Sequence, residues 1–350
     1  MVESDFRPLK PGAPAAANPR VSILLPFRDA APTLATCLRS IQRQTEPAWE
    51  CIAVDDGSRD GSSGLLEAAR ASDPRFVLVS RPRSGLVASL NAGLERCRAP
   101  VVARMDADDW MHRDRLEAQL ALLGARPELS AVGARVRSFP RSALGHGRER
   151  YEAWLNGLGE SQSIARDAFV ECPVAHPTLM IRGPVLRAFG YRDMGWPEDY
   201  DLVLRLLGAG HSLAIHPRRL LGWRDGPGRL SRRAPEYALE RFTACKAAHL
   251  ASGPLQASDH YLLWGYGSTG RALRRALLPL GKTPSHIIDV HPRRLGKKIH
   301  EAPVVPPEAI PALPRSPLLV SVAGPGPRGE IREALATMAL QEGRDFYCTA

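Results

Sequence analysis

The sequence lacks a long apolar run, because none of its hydrophobic stretches approaches the length of about 20 residues that spans a bilayer. Its first segment, residues 1–19, is rich in Pro and Ala and lacks the basic-then-apolar order of a signal peptide. We therefore expect a cytoplasmic protein that begins with a flexible tail over residues 1–19.

Cysteine is sparse as well. The six cysteines are scattered, show no C-x-x-C spacing and have mostly apolar neighbours. This pattern argues against a disulfide framework and against a zinc site built on paired cysteines. It predicts buried free thiols in a reducing compartment, which agrees with the cytoplasmic location.

Aromatic residues make up 6% of the chain, and no basic helix with interleaved aromatic residues is present in the sequence. A nucleic-acid partner is therefore not expected. Acidic residues are outnumbered, 37 against 47 basic ones, which gives a formal charge of +10. This excess favours anionic partners such as nucleoside diphosphates or phospholipid headgroups, so peripheral contact with the inner face of a membrane stays open.

The first half of the chain contains an alternation of short apolar strands with helical patterns. The predicted strands are 21–25, 50–54, 76–80 and 101–105, and the helices between them are 34–44, 62–71 and 85–96. This order predicts an α/β fold with a mostly parallel sheet flanked by helices. Polar clusters follow three of these strands, at 26–29, 55–58 and 106–109. Since ligands bind at the carboxyl ends of such strands, the three clusters predict one site.

The third cluster holds three carboxylates, Asp106, Asp108 and Asp109, directly after an apolar strand. Like charges in one loop repel, and none can be buried unpaired. A divalent cation would remove this cost, and hard oxygen ligands suit Mg²⁺ or Mn²⁺. The alternative is a solvated acidic turn that starts the next helix, for which Asp109 alone would suffice. We assign that helix-starting role to Asp109.

Five motifs resemble, in their order and spacing, those of glycosyltransferase family 2, which has the GT-A fold. They are 21–26, 54–60, 84–93, 104–109 and 113–119, and the similarity covers about residues 20–232. The resemblance implies a nucleoside-diphosphate sugar as donor, a divalent metal, and inversion at the anomeric carbon.

Carried over to this sequence, the resemblance implies a role for each matching residue. Pro26 and Asp56 correspond to positions that hold the base of the donor nucleotide, with Asp55 beside them. Asp106 corresponds to a position near the ribose, and Asp108 to the metal ligand beneath the diphosphate. A metal that bridges the diphosphate oxygens would offset the charge that develops on the leaving group.

An acidic pair, Glu198 and Asp199, resembles the pair that opens the acceptor-side helix of the same family. Inversion requires a base opposite the leaving group to take the proton of the acceptor hydroxyl, and we assign this role to Asp199. Acidic residues also suit the first turn of a helix, where they complement the helix dipole. That ordinary role is assigned to Glu198 and Asp201, and it stays open for Asp199.

A basic loop predicted over 218–233 resembles the one that folds over the donor diphosphate, and it contains Arg224 and Ser231. Arg224 suits a diphosphate because its guanidinium presents a charged planar fork to phosphate oxygens. Asp225 stands near the place where many relatives carry a polar residue or His, which is a departure from the family pattern. His176 matches a position common in one subgroup, and a structural histidine is the alternative.

A glycine motif follows a predicted strand at 261–264 and opens a helix, with Gly265, Gly267 and Gly270 at its three glycine positions. Asp289 ends the next strand, nineteen positions after Gly270 (289 − 270 = 19). These features match the fingerprint of a dinucleotide-binding turn.

The domain prediction places a GT-A domain at 20–232, a helical linker at 233–257 and a small Rossmann-like α/β module at 258–350. The module resembles the nucleotide-binding half-domain that precedes the repeat domain in some sugar O-acyltransferases. A module that docks domains or partners without a cofactor is the alternative.

The expected function is a metal-dependent, inverting glycosyltransferase that acts on a saccharide or lipid-linked acceptor, such as a polysaccharide or glycolipid precursor. An NAD(P)-dependent oxidoreductase built on the glycine motif is a second hypothesis, and it leaves the acidic clusters unexplained. A non-catalytic protein that binds a nucleotide sugar is a third.

Overall fold

The computed structural model describes residues 18–226 and 228–350. Residues 1–17, which hold almost all of the predicted tail, lie outside the described residues. Among the described helices, none combines the length and the hydropathy that a membrane span requires. Two compact units are present: one contains 18–160, Val174–Asp193 and 210–226, and the other contains Ser161–Pro173, Met194–Ala209 and Gly228–Ala350.

The strands, in chain order, are β1 (Val21–Phe27), β2 (Trp49–Asp56), β3 (Phe76–Arg81), β4 (Val101–Arg104), β5 (Trp110–Met111), β6 (Leu129–Phe139), β7 (Met180–Arg182), β8 (Ser212–Arg224), β9 (His260–Trp264), β10 (Thr283–Ile288), β11 (Lys298–Ile299), β12 (Ala302–Val305), β13 (Leu318–Val320) and β14 (Phe346–Cys348).

The α-helices are α1 (Ala31–Gln42), α2 (Ser62–Ser72), α3 (Leu86–Leu94), α4 (Arg115–Ala125), α5 (His146–Gly157), α6 (Ser161–Asp167), α7 (Gly183–Phe189), α8 (Glu198–Gly208), α9 (Leu230–Arg233), α10 (Leu239–Ser252), α11 (Ser268–Leu277) and α12 (Pro325–Thr337). Short 3₁₀ helices occur at Arg141–Ala143, His176–Thr178, Pro235–Tyr237, Leu278–Leu280 and Pro307–Ala312.

The larger sheet lies in the first unit and has the strand order β3-β2-β1-β4-β7-β6-β8-β5. The pairs among β1 to β4 are parallel, as is β6 with β8, whereas β7 and β5 run antiparallel to their neighbours. β1 and β2 are buried along their whole length, which is typical of parallel strands covered on both faces. The predicted α/β fold with a mostly parallel sheet is confirmed.

Helix α1 shows how the local sequence gives the packing in this unit. Leu34, Leu38 and Ile41 recur at spacings of four and three, which places them on one face of a helix. All three are buried in the core cluster that also contains the side chains of β1. This packing fixes the start of the helix, and with it the loop after β1 that carries the first predicted polar cluster.

The strand β8 is longer than the sequence predicted, so the loop assigned to 218–233 is wrong over its first seven residues. β8 continues to Arg224 because it pairs with β6 to its end, where Phe139 lies opposite Arg224. Ser231 lies in the short helix α9, in the second unit. Arg224 is therefore a strand-end residue rather than a loop residue.

The second unit contains the smaller sheet, with the order β11-β12-β10-β9-β13-β14. Its pairs are parallel except for that between β11 and β12. A second, smaller α/β unit with its own sheet is thus confirmed, while its Rossmann-like assignment stays a prediction. The limits predicted at 20–232, 233–257 and 258–350 also stay predictions, because compactness does not decide where an independently folding domain ends.

All six cysteines are buried and free. Burial raises the pKa of Cys37 and of Cys51 well above the ordinary value of a thiol. Protonated thiols are poor nucleophiles and poor metal ligands. The buried state predicted for the cysteines is confirmed.

Candidate active site

The first two polar clusters meet at the carboxyl edge of the larger sheet. Pro26 lies inside β1, one residue before its end, and Asp55 and Asp56 are the last two residues of β2, which pairs with β1 in parallel. The carboxylate of Asp29 accepts a hydrogen bond from the backbone N–H of Arg59 at 2.8 Å. This bond ties the loop after β1 to the loop after β2.

Asp55 and Asp56 are buried and hold these loops in place. Oδ1 of Asp55 accepts the backbone N–H of Ser58 at 2.8 Å, and its Oδ2 accepts the hydroxyl of Ser63. Oδ1 of Asp56 accepts the N–H of Ser84 at 2.6 Å, and its Oδ2 accepts the N–H of Gly85 at 3.1 Å. Hydrogen bonds to an ionised carboxylate are stronger than neutral ones, so both side chains contribute to the rigidity of this edge.

The carboxylates of Asp106, Asp108 and Asp109 come together after β4. One carboxylate oxygen of each residue lies within 4.8 Å of one oxygen from each of the others. Arg104 forms an ion pair with Asp106 at 2.7 Å and offsets part of the negative charge. The donor set consists of oxygen atoms alone, which fits Mg²⁺ or Mn²⁺ better than a softer metal.

Asp109 does not start the next helix, so this prediction was wrong. Helix α4 begins at Arg115, after Asp114, whereas Oδ1 of Asp109 accepts the backbone N–H of Arg224 at 2.6 Å. Nε of Arg224 donates in turn to the carbonyl oxygen of Asp108 at 2.7 Å. These two bonds join the end of β8 to the acidic loop and bring the Arg224 guanidinium beside it.

Arg115 lies beneath the acidic loop, and sequence reasoning missed its role. The side chain is fully buried and donates to the carbonyl oxygen of Arg104 at 2.9 Å and to Oε1 of Gln119 at 3.0 Å. Burial lowers its pKa to about 9, an effect that the nearby Asp109 opposes. Nothing in the motif 113–119 indicates that Arg115 supports the end of β4.

His176 is a buried histidine whose Nε2 lies 3.0 Å from the hydroxyl oxygen of Tyr191. Burial and, to a smaller extent, the nearby guanidinium of Arg104 hold its pKa well below the ordinary value. The ring is therefore neutral at pH 7. This environment favours the structural interpretation of His176.

In the second unit, Glu198, Asp199 and Asp201 occupy the first turn of α8, as predicted for a helix start. Glu198 is buried, and its Oε2 accepts the hydroxyl of Tyr237 at 2.5 Å. Asp199 is half-buried, and its Oδ1 accepts the backbone N–H of Tyr200 at 2.7 Å. Of these three carboxylates, that of Asp199 belongs to the least buried residue.

Asp201 is fully buried and is held by several donors. Its Oδ2 accepts Nε of Arg205 at 2.7 Å, and its Oδ1 lies 3.1 Å from Nε2 of His249 and accepts Nε1 of Trp196 at 3.3 Å. A buried carboxylate with these partners is part of the packing of α8. Its role therefore goes beyond the predicted interaction with the helix dipole.

The glycine motif follows β9 and opens α11, as predicted. Gly265 has a φ of 94°, which favours glycine, and a Cβ on Gly270 would overlap the carbonyl oxygen of Gly265. A Cβ on Gly267 would meet open space. Two of the three glycines are thus required by the backbone itself, with or without a bound ligand.

Asp289 lies after β10 and is already engaged by the protein. Its Oδ2 pairs with Nη1 of Arg294 at 2.7 Å, and its Oδ1 accepts the N–H of His291 at 2.8 Å. In a dinucleotide site the corresponding carboxylate binds ribose hydroxyls. Its ion pair in this chain gives no support to that role.

A family model described as glycosyl transferase family 2 matches residues 22–186. The amylovoran biosynthesis glycosyltransferase AmsE of Erwinia amylovora is 34% identical over 202 residues, which cover 57% of this chain and 73% of that protein.

Two solved structures are similar in fold. TarS 1-349 of S. aureus in complex with UDP-GlcNAc gives a TM-score of 0.56 at 14% identity and covers 75% of this chain and 72% of that chain. The mannosyltransferase PcManGT from Pyrobaculum calidifontis, in complex with GDP-Man and Mn²⁺, gives a TM-score of 0.53 at 19% identity and covers 95% of this chain and 84% of that chain. These likenesses agree with the predicted GT-A architecture.

Proposed function

The chain belongs to glycosyltransferase family 2, and from this premise we propose a metal-dependent transfer of sugar from a nucleoside-diphosphate sugar, with inversion at the anomeric carbon. The observation that carries the proposal is the convergence of Asp106, Asp108 and Asp109 within 4.8 Å at the end of a parallel strand. Carboxylates held this close repel one another, and the ion pair of Asp106 with Arg104 offsets only part of the charge, so a bound cation would offset more of it.

In this proposal Asp108 binds Mg²⁺ or Mn²⁺, and Asp106 lies near the ribose of the donor. The ion pair between Asp106 and Arg104 supports this division, because an oxygen already engaged by a cation is a weaker metal ligand. The metal, when bound, would neutralise charge on the diphosphate leaving group. Arg224 supplies a further positive charge for the diphosphate, which its contact with the carbonyl oxygen of Asp108 supports.

The base of the donor nucleotide is assigned to Pro26, Asp55 and Asp56. Both carboxylates are fixed by loop donors, which supports a preformed pocket. Oδ2 of Asp56 accepts the N–H of Gly85 at 3.1 Å. A carboxylate oxygen can accept more than one hydrogen bond, so this atom has capacity for an N–H of the base.

Asp199 is proposed as the base that takes the proton of the acceptor hydroxyl. Supporting this choice, Glu198 and Asp201 are buried and bound within the second unit, whereas Asp199 is half-buried. A general base in transfer reactions contributes roughly 10²- to 10⁴-fold to the rate. Asp199→Asn should therefore lower kcat by at least about 100-fold and leave the affinity for the nucleotide unchanged.

The acceptor is proposed to be a saccharide or lipid-linked precursor of a polysaccharide or glycolipid. The relative AmsE is named for amylovoran biosynthesis, which supports this class of acceptor. The six free cysteines support a cytoplasmic location, since free thiols persist in a reducing compartment. A formal charge of +10 supports peripheral contact with anionic lipid.

A nucleotide ligand for the C-terminal module is a second candidate, favoured by the glycine-lined turn between β9 and α11. The dinucleotide assignment includes Gly265, Gly267, Gly270 and Asp289, and the ion pair of Asp289 with Arg294 weighs against its ribose contact. Titration of NAD(H) and NADP(H) into the full chain tests it. Absence of binding would remove both the cofactor and the oxidoreductase hypothesis.

A nucleotide-release assay tests the transferase proposal. UDP-sugars and GDP-sugars are offered with a panel of nitrophenyl glycosides as acceptors, in Mn²⁺, in Mg²⁺ and in EDTA. We expect release in the presence of a metal and none in EDTA, and an inverted anomer in the product by NMR. Full turnover in EDTA would contradict the metal role, and binding without release would favour the non-catalytic hypothesis.

A further inference from the structure

We propose that the indole of Trp110 is a stacking platform for a pyranose ring beside the acidic loop, an inference that rests on the proposed sugar transfer. Trp110 directly follows Asp109 and is 37% exposed. Tryptophan side chains are highly buried on average. An indole exposed to this extent next to a candidate active site is available to a ligand.

Strand pairing sets the face on which the indole lies. β5 pairs with β8 so that Trp110 lies directly opposite Gly222. Residues opposite each other share a face of the sheet, as do residues two apart along a strand. Arg224 therefore shares the face of Gly222, and Phe139, which lies opposite Arg224 in β6, shares it as well.

The contacts of the ring fix its position relative to the acidic loop. A Cβ on Gly222 would overlap the indole, so the glycine lets the ring lie against β8. The centroids of Trp110 and Phe139 are 6.3 Å apart, and the guanidinium carbon of Arg224 lies 4.6 Å from the centroid of Phe139. Nε of Arg224 donates to the carbonyl oxygen of Asp108. The contacts are thus continuous from the indole to the acidic loop.

The chemistry of this surface fits a carbohydrate. A pyranose presents C–H groups on one face and hydroxyl groups around its rim. The C–H groups are attracted to the negative face of an aromatic ring, while the hydroxyls stay available to polar neighbours. An indole with an open surface beside carboxylates and a guanidinium offers both kinds of contact, and the ring it holds belongs to the donor sugar or to the acceptor.

The competing explanation is structural, because an aromatic side chain opposite a glycine also shields a sheet edge. The two explanations differ in what a substitution changes. Shielding alone predicts lower stability with unchanged substrate constants. A platform predicts weaker sugar binding even in a variant that keeps the shield.

The test uses Trp110→Leu, which keeps an apolar cover, together with Trp110→Ala and the conservative Trp110→Phe. Val77→Ala is the matched control, since Val77 is 36% exposed on β3 at the opposite edge of the same sheet. Thermal denaturation reports folding. Calorimetry reports Kd for UDP, UDP-GlcNAc, GDP and GDP-Man, and nucleotide release reports KM for nitrophenyl glycosides.

In Trp110→Leu we expect either the KM for the glycosides or the Kd for the nucleotide sugar to rise about tenfold. Trp110→Phe should recover the lower value, and Val77→Ala should behave as the wild type. A higher KM for the glycosides assigns the stacked ring to the acceptor. A higher Kd for the nucleotide sugar, with that of the free nucleotide unchanged, assigns it to the donor. Wild-type constants throughout, in a natively folded Trp110→Leu, would overturn the platform.

The outcome is distinguishable from failure of the proposed function. If the wild-type chain binds nucleotide sugars but transfers nothing, the transferase proposal fails and the calorimetric comparison still tests the platform. If the wild-type chain binds no nucleotide sugar and releases no nucleotide, both proposals fail. If the wild-type chain binds and transfers the sugar, and the Trp110 variants have the same Kd and KM values as the wild type, the platform alone fails.

Discussion

Two sets of carboxylates follow parallel strands on either side of β1, and the contacts of their side chains differ. Asp55 and Asp56, at the end of β2, accept N–H and O–H groups from the loops around them. Asp106 and Asp108, after β4, converge with a third carboxylate within 4.8 Å. The first set stabilises the fold through hydrogen bonds, whereas the second brings negative charges together, of which the ion pair of Asp106 with Arg104 offsets a part. Removal of one negative charge should therefore lower the stability when it is made in the first set, and leave the stability unchanged or raise it when it is made in the second.

Catalysis should respond most strongly when a residue of the converging set is neutralised. Asp108→Asn should lower nucleotide release in Mn²⁺ by about a thousandfold, because the proposed metal loses its main ligand. The melting temperature should stay the same or rise, since one of the repelling charges is removed. Steady-state release and thermal denaturation of the same preparation measure both quantities.

Glu67→Gln is the matched control for the loss of one negative charge, because Glu67 is exposed and lies in the same unit. It should behave as the wild type in both measurements. A clear fall in the melting temperature of Asp108→Asn would show that the carboxylate of Asp108 stabilises the acidic loop, as those of Asp55 and Asp56 stabilise their loops.

The next effect is on stability, from the hydrogen-bonded set. Asp56→Asn replaces one of the two acceptor oxygens by an NH₂ group, so a donor then faces the backbone N–H of either Ser84 or Gly85. Loss of hydrogen bonds to a buried charge should lower the free energy of unfolding by about 2 kcal/mol. Urea denaturation measures this change, and unaltered stability would show that the loops do not depend on Asp56.

A smaller effect, dependent on pH, comes from His176, whose ring lies near the Arg104 partner of Asp106. Its pKa is lowered in the folded protein, so below the ordinary value of 6.5 the unfolded chain takes up a proton that the folded chain does not. Stability should therefore fall as the pH drops below that value, by about 1.4 kcal/mol per pH unit at most.

His176→Gln should remove this slope, because the unfolded variant takes up roughly one proton less than the unfolded wild type. The stability of the variant should therefore depend less on pH between about 5.5 and 7. Urea midpoints of wild type and variant across that range provide the measurement. Parallel curves for the two proteins would mean that His176 is not a buried neutral histidine.

The features that the sequence predicted well are local. Apolar runs such as β1 and β2 are visible along the chain, and polar residues at their ends mark the edge at which ligands bind. The role of Asp109 was not visible, because its partner Arg224 lies 115 positions away and arrives through the pairing of β8. The exposed position of Trp110 depends on the same pairing. What sequence reasoning missed is thus the part of the site built by contacts between distant segments.

In the proposed mechanism, the loop of Asp106 and Asp108 binds a divalent metal together with the donor diphosphate. Calorimetric titration of Mn²⁺ into the wild-type chain, alone and with saturating UDP or GDP, tests this binding, and the same titration of Asp108→Asn is the comparison. We predict that one of the nucleotides tightens Mn²⁺ binding in the wild type and that Asp108→Asn abolishes the effect. Equal Mn²⁺ binding in the two proteins, or none in the wild type with either nucleotide, would show that Asp108 is not a ligand of a metal bound with the diphosphate.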